Sequence, residues 1–107
     1  MREHNKVLQS GAVATGVGEP LTVAGHTSVV AQVTGAFVGT VQFEGLVAEN
    51  TWVDLLMTNM TTGATSTVAN APGLFRAIIA GLRGFRARVA VYTSGAVTVT
   101  AVASEGG

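Results

Sequence analysis

The chain contains no cysteine and little charge. No disulfide or thiolate site can form, so stability must come from a packed core or from assembly with other chains. Charged residues make up 11% of the sequence and hydrophobic residues 48%, whereas an average soluble domain has about 25% charged residues. Either Thr, Ser, Asn and Gly supply the polar surface, or much of the surface is buried against other chains. The formal net charge of zero favours the second interpretation, because no repulsion keeps copies apart.

Three further absences bear on the partners of the protein and on where it is made. There is no basic excess to neutralise phosphates, which argues against nucleic-acid binding. No apolar run approaches the roughly 20 residues that span a bilayer, so no membrane partner is expected. The polar start, residues 1–6, leads into Val7-Leu8-Gln9 rather than into an apolar secretion signal. We therefore expect the protein to be made in a cytoplasm.

Residue types that bind metals or attack substrates are sparse. His4 and His26 are far apart and have no cysteine beside them, unlike the clustered ligands of a zinc site. Ser10 and Ser94 lie in turn sequences rather than in a nucleophile elbow. The glycines of residues 11–18 lack the lysine and the helix of a phosphate loop. We expect no catalytic residue, no cofactor and no metal, and hence no enzyme.

Acidic and aromatic residues leave two alternatives open. Glu44 and Asp54 fall on adjacent predicted strands and Glu49 on the turn between them, so paired carboxylates are conceivable. Outward-facing, solvated carboxylates explain them as well. Trp52, the only tryptophan, is either a platform for sugar stacking or a filler of the core or of an interface. The apolar neighbours of Trp52 favour the filler.

Most of the chain alternates apolar and polar residues, which is the period of half-buried strands. Turn signals such as Pro72-Gly73 separate the alternating segments. This pattern predicts an all-β fold, an antiparallel β-sandwich or jelly roll of about seven or eight strands, in one domain over residues 1–107. A flexible N-terminal arm is expected over 1–6 and a tail over 104–107. The predicted strands before the last two are 7–15, 21–24, 27–34, 40–47, 51–59 and 74–80.

The clearest alternation runs from Phe85 to Ala103 and predicts a hairpin. A three-residue loop, 93–95, with Gly95 in the left-handed conformation, pairs Val91 with Val97 and Val89 with Val99. A two-residue loop would instead mix apolar and polar residues on each face. The polar face of this hairpin is expected to carry Arg86, Arg88, Tyr92, Thr98 and Thr100.

The charges are separated along the sequence. Between Leu55 and Ser104 every charge is positive, and the acids Glu44, Glu49 and Asp54 come just before. A basic face of one copy could therefore meet an acidic face of another, although solvated arginines on strand exteriors are the simpler explanation for each residue. The residues predicted for a partner interface are Arg76, Arg83, Arg86, Arg88 and Tyr92.

Several sequence motifs follow one another in a recognisable order. They are Thr51-Trp52 followed by Leu55, Gly73-Leu74-Phe75-Arg76, Ala80-Gly81-Leu82, Arg86-Ala-Arg-Val89, and Tyr92-Thr-Ser-Gly-Ala-Val-Thr-Val99. Over residues 38–104 this order resembles small β-sandwich virion proteins of tailed bacteriophages, of the head decoration (cement) or head–tail accessory type.

The resemblance implies a capsid decoration protein on the virion surface. Such a protein binds the assembled head as a homo-oligomer, for example a trimer, so the expected partners are other copies of the chain and a major capsid protein. The alternative is a carbohydrate-binding or host-attachment module, with Trp52 and Tyr92 meeting a glycan.

Overall fold

Strands make up the regular structure of residues 3–47 and 51–104, the part of the chain that the computed structural model describes. No helix in these residues is long and apolar enough to cross a membrane. The strands are β1 (Glu3–Ala12), β2 (Leu21–Thr22), β3 (Ser28–Thr34), β4 (Phe37–Leu46), β5 (Trp52–Asp54), β6 (Met57–Asn59), β7 (Thr65–Ser66), β8 (Val68–Ala69), β9 (Gly73–Ile78), β10 (Gly84–Gly95) and β11 (Val97–Ser104).

The strands form two antiparallel sheets. The six-stranded sheet has the order β1-β11-β3-β9-β6-β7, and the five-stranded sheet contains β2-β10-β4-β5 with β8 also paired to β4. The predicted class, an antiparallel β-sandwich, is confirmed. The described residues contain eleven strands rather than seven or eight, because five of them are only two or three residues long and lie within predicted loops or longer predicted strands.

The core lies between the sheets and contains the inward residues of each alternating strand. Val97, Val99, Ala101 and Ala103 of β11 are all buried. Phe43 of the five-stranded sheet lies 5.2 Å, centroid to centroid, from Phe75 of the six-stranded sheet, so aromatic contact joins the two layers.

The predicted hairpin is wrong, although the predicted faces of its arms are largely correct. β10 pairs with β2 and β4, whereas β11 pairs with β1 and β3, so the two arms lie in different sheets. Val91 does not pair with Val97, nor Val89 with Val99. The chain crosses from one sheet to the other after Gly95, whose φ of 88° confirms its predicted left-handed conformation.

Both ends of the described chain belong to strands. β1 begins at Glu3, so residues 3–6 of the predicted arm pair with β11, with Lys6 opposite Ala101. At the other end, Ser104 closes β11 opposite Ser28. Residues 1–2 and 105–107 lie outside the described residues.

The loop after β1 lies against the edge of β10. Gln9, which is 6% exposed, donates hydrogen bonds from Nε2 to the carbonyls of Gly16 (3.1 Å) and Ala87 (2.9 Å). Gly16 and Val89 also exchange two backbone hydrogen bonds. The side chain of Gln9 therefore holds this loop against the five-stranded sheet and gives a hydrogen-bond partner to two backbone carbonyls at the edge of β10.

Candidate partner interface

A row of charged residues crosses the outer face of the five-stranded sheet. In the register of these strands, Arg86 of β10 is opposite Glu44 of β4, which is opposite Asp54 of β5. Residues directly opposite each other project from the same face of a sheet. Arg88, two positions beyond Arg86, projects from that face as well. We call Arg86, Arg88, Glu44, Asp54 and Trp52 the outer-face cluster.

Two arginines share one buried carboxylate. Nε of Arg86 donates to Oε1 of Glu44 at 2.6 Å, and Nε of Arg88 lies 3.5 Å from Oε2. The Glu44 side chain is only 8% exposed, whereas those of Arg86 and Arg88 are 19% and 36% exposed. A buried carboxylate is tolerated when it is paired and hydrogen-bonded. Because two guanidinium groups meet one carboxylate, β10 and β4 together keep one net positive charge.

Trp52 lies beneath Arg86 on the same face. Cζ of Arg86 is 4.4 Å from the centroid of the indole, a cation–π contact. Space for the ring comes from Gly84, where an added Cβ would lie 3.0 Å from Cη2 of Trp52. The half-buried Trp52 is therefore neither a core residue nor a free platform for stacking, since an arginine already covers one side of its ring.

Asp54 is the exposed acid of the cluster. Glu44, the residue opposite Asp54 on the adjacent strand β4, is paired with Arg86 and Arg88. Within residues 3–47 and 51–104, the Asp54 side chain makes no ion pair or hydrogen bond. The predicted proximity of Glu44 and Asp54 is confirmed by their register, but one is buried and paired while the other is solvated.

Tyr92 does not share a face with Arg86 and Arg88, and that part of the prediction is wrong. β10 carries one extra residue between the pairs Val89–Val41 and Val91–Thr40. Such a bulge reverses the alternation beyond it. Val91 is therefore turned outward and is 52% exposed, while Tyr92 packs against the core and donates its hydroxyl to the Gly95 carbonyl at 2.7 Å.

Arg76 and Arg83 lie away from the cluster. Arg76 is exposed on β9 of the six-stranded sheet, where it lies opposite Val30 of β3 and Thr58 of β6. Arg83 lies in the connection between β9 and β10, with its backbone bonded to Val23 and Leu46. Of the predicted interface residues, the structure brings together only Arg86 and Arg88, and it adds Glu44, Trp52 and Asp54 to them.

The remaining sequence candidates do not form a site in the described residues. Glu49 lies outside these residues, and His4 belongs to β1. Where the structure describes the chain, no three His, Cys, Asp or Glu residues lie close enough to hold a metal ion. The outer-face cluster leaves charge of both signs accessible, on Arg88 and on Asp54.

The outer face of the six-stranded sheet differs from the cluster in having almost no charge. The register places Val102, Val30 and Arg76 in one row across this face. Ile78 and Leu74 project beside them from β9, 75% and 39% exposed. Among the residues of β3, β9 and β11 that the alternation places on this face, Arg76 is the only charged one, and hydroxyl, amide and aliphatic groups make up the rest.

Comparisons with known proteins identify the fold but not a family. No protein-family model and no curated protein matches the chain. The SPBc2 prophage-derived protein YomS matches with a TM-score of 0.87 and 19% identity, over 95% of this chain and 92% of YomS. The PBSX exported protein XepA matches with a TM-score of 0.91 and 17% identity. That match covers 95% of this chain but 37% of XepA. The chain therefore shares its fold with a prophage-derived protein and with part of an exported protein, in agreement with the fold that the sequence resemblance implied.

Proposed function

We propose that this chain is a non-enzymatic structural protein of a phage particle, a decoration protein that binds the assembled head as a homo-oligomer. The fold shared with phage-derived proteins supports the phage context. The observation that carries the proposal is the outer face of the six-stranded sheet, which is broad and nearly uncharged. A surface of this kind is suited to lie against a protein shell.

The dimensions of this face suit a protein partner. Six strands about 4.8 Å apart span about 25 Å, and seven residues of β3 extend about 23 Å, an area on the order of 600 Å². A standard interface buries about 800 Å² on each partner. Val30, Leu74, Ile78 and Val102 supply its apolar part, and Arg76 is the only charge that β3, β9 and β11 place on it. Burial contributes about 25 cal/mol per Å² of apolar surface before the cost of association.

Co-sedimentation with purified heads tests the proposal. Heads of the phage that encodes the chain, prepared without this protein, should bring down the wild type in a saturable manner. Ile78→Asp should weaken binding about tenfold or more, because a charge enters the contact surface. Val53→Asp is the matched control, since Val53 lies in the other sheet and is also strongly exposed, at 61%. Absence of wild-type protein from the pellet would overturn the proposal.

The alternative function is a carbohydrate-binding or host-attachment module. The shared fold with XepA, described as an exported protein, favours it. The position of Arg86 over Trp52 opposes it, because a sugar would have to displace the guanidinium to stack on that side of the ring. Trp52 is the only tryptophan, so its fluorescence isolates this question. A saturable change on adding host cell-wall glycans would support the alternative, and a flat response would favour the decoration protein.

A further inference from the structure

We propose that the outer face of the five-stranded sheet is self-complementary and pairs with the same face of a second copy. In this pair, Asp54 of each copy contacts the arginines on β10 of the other. The inference deepens the self-association in the proposed function, and it does not depend on attachment to a head.

The face carries a net positive charge on the β10 side of β4 and a negative charge on the β5 side. Arg86 and Arg88 outnumber the one carboxylate between them, so this side keeps one net positive charge. Asp54, on the other side of β4, carries one negative charge that no described residue neutralises. Arg88 is the more available arginine, because it is 36% exposed and lies 3.5 Å from Glu44.

The positions of these charges favour a two-fold pair. β10 and β5 flank β4, so the two charged places are about 10 Å apart on one face. In a two-fold pair, if one residue of the first copy contacts a second residue of the partner, the reverse contact also forms. A face with separate positive and negative places can therefore match each place to its opposite on the partner. A two-fold axis lying along β4 sets β10 of one copy over β5 of the other. Two opposite-charge contacts then form in each pair.

Apolar groups border the charged row on the same face. The bulge turns Val91 outward beside Thr40, and Val38 projects two positions further along β4. These two valines are 52% and 58% exposed. Four strands about 4.8 Å apart span about 14 Å and the ten residues of β4 about 34 Å, a face on the order of 500 Å², somewhat less than one side of a standard interface. The second copy would therefore cover exposed valines as well as neutralise charge.

Charge exchange between two variants tests the pairing. Asp54→Arg and Arg88→Glu should each weaken pairing about tenfold or more, because like charges then face each other in both contacts. Mixing the two variants should restore pairing in mixed dimers. In a mixed dimer, one contact joins the two altered positions and the other joins the unaltered Arg88 and Asp54. The masses of the separate and mixed samples are measured by sedimentation equilibrium.

Two controls separate pairing from folding. Arg88→Glu also brings a second carboxylate near Glu44, so Arg88→Gln tests loss of the charge without that repulsion, and thermal melting checks that each variant is folded. Arg76→Glu places the same reversal on the other sheet and should leave pairing unchanged. A monomeric wild type at high micromolar concentration would overturn the inference, as would a failure of folded variants to recover on mixing. If pairing holds but heads are not bound, the decoration function alone fails.

Discussion

Replacing Gly95 with alanine tests the crossing between the sheets. Gly95 has a φ of 88°, and an added Cβ would lie 2.0 Å from the Ala36 carbonyl oxygen and 2.7 Å from Cα of Phe37. Gly63 provides a matched control, because its φ is 79° and an added Cβ would meet nothing within 4 Å. The two substitutions share the cost of a left-handed alanine, and only Gly95→Ala adds a steric collision.

The expected magnitudes follow from these two contributions. A left-handed alanine costs about 1–2 kcal/mol, and the lower entropy of its unfolded chain returns about 0.4–1 kcal/mol. Gly63→Ala should therefore cost about 1 kcal/mol, within a range of roughly 0 to 1.6 kcal/mol. At Gly95 the backbone must move by more than 1 Å (an ordinary carbon–oxygen contact is about 3.4 Å), which breaks the pairing with Phe37. Losing about two backbone hydrogen bonds brings the total to about 3 kcal/mol.

Thermal unfolding followed by circular dichroism at one protein concentration measures both variants. For a domain of this size, 1 kcal/mol corresponds to about 4 °C in Tm. We expect a fall of about 12 °C for Gly95→Ala and of about 4 °C for Gly63→Ala. Equal falls would refute the reasoning, because the tight approach of β10 to the start of β4 would then make no contribution to stability.

Three other substitutions probe the cluster, the core and the loop after β1. Glu44→Gln should lower the free energy of unfolding by about 1–3 kcal/mol in urea titrations, because Arg86 loses its charged acceptor. Phe43→Ala should cost about 3–5 kcal/mol in the same assay, because it opens a cavity between the sheets. Gln9→Met keeps the volume but loses two hydrogen bonds, and should cost about 1–2 kcal/mol. It should also speed amide hydrogen exchange at Val89, whereas unchanged exchange would show that the loop is held by other contacts.

The sequence predicts the faces of strands better than their partners. Side-chain direction is local, so the alternation of β11 correctly places Val97 and Val99 in the core. The alternation does not determine which strands pair, because Val97 and Val99 are buried whether β10 and β11 form a hairpin or lie in opposite sheets. The bulge that turns Tyr92 inward was also not predicted. The bulge is a property of the pairing between β10 and β4, and the sequence of β10 alone gives no sign of it.

The candidate site was predicted only in part. Arg86 and Arg88 stand out as cations in a charge-poor chain, and strand alternation correctly places them outward. The burial of Glu44 was not predicted, since the arginines that cover it come from a strand distant in the sequence. The one local signal for the position of Trp52 was Gly84, whose missing side chain makes room for the ring. That signal has meaning only once the register of β10, β4 and β5 is known.

The place of β11 in its sheet determines when the molecule can fold. β11 is the last described strand to be made, yet it lies between β1 and β3. While the chain emerges from a ribosome, β1 has no neighbour in its sheet, and β3 lacks one of its two. The pairing of β1, and the second pairing of β3, must then wait until β11 has been synthesised. Nascent chains that end before residue 97 should therefore depend on chaperones to keep the apolar edges of β1 and β3 from joining other chains.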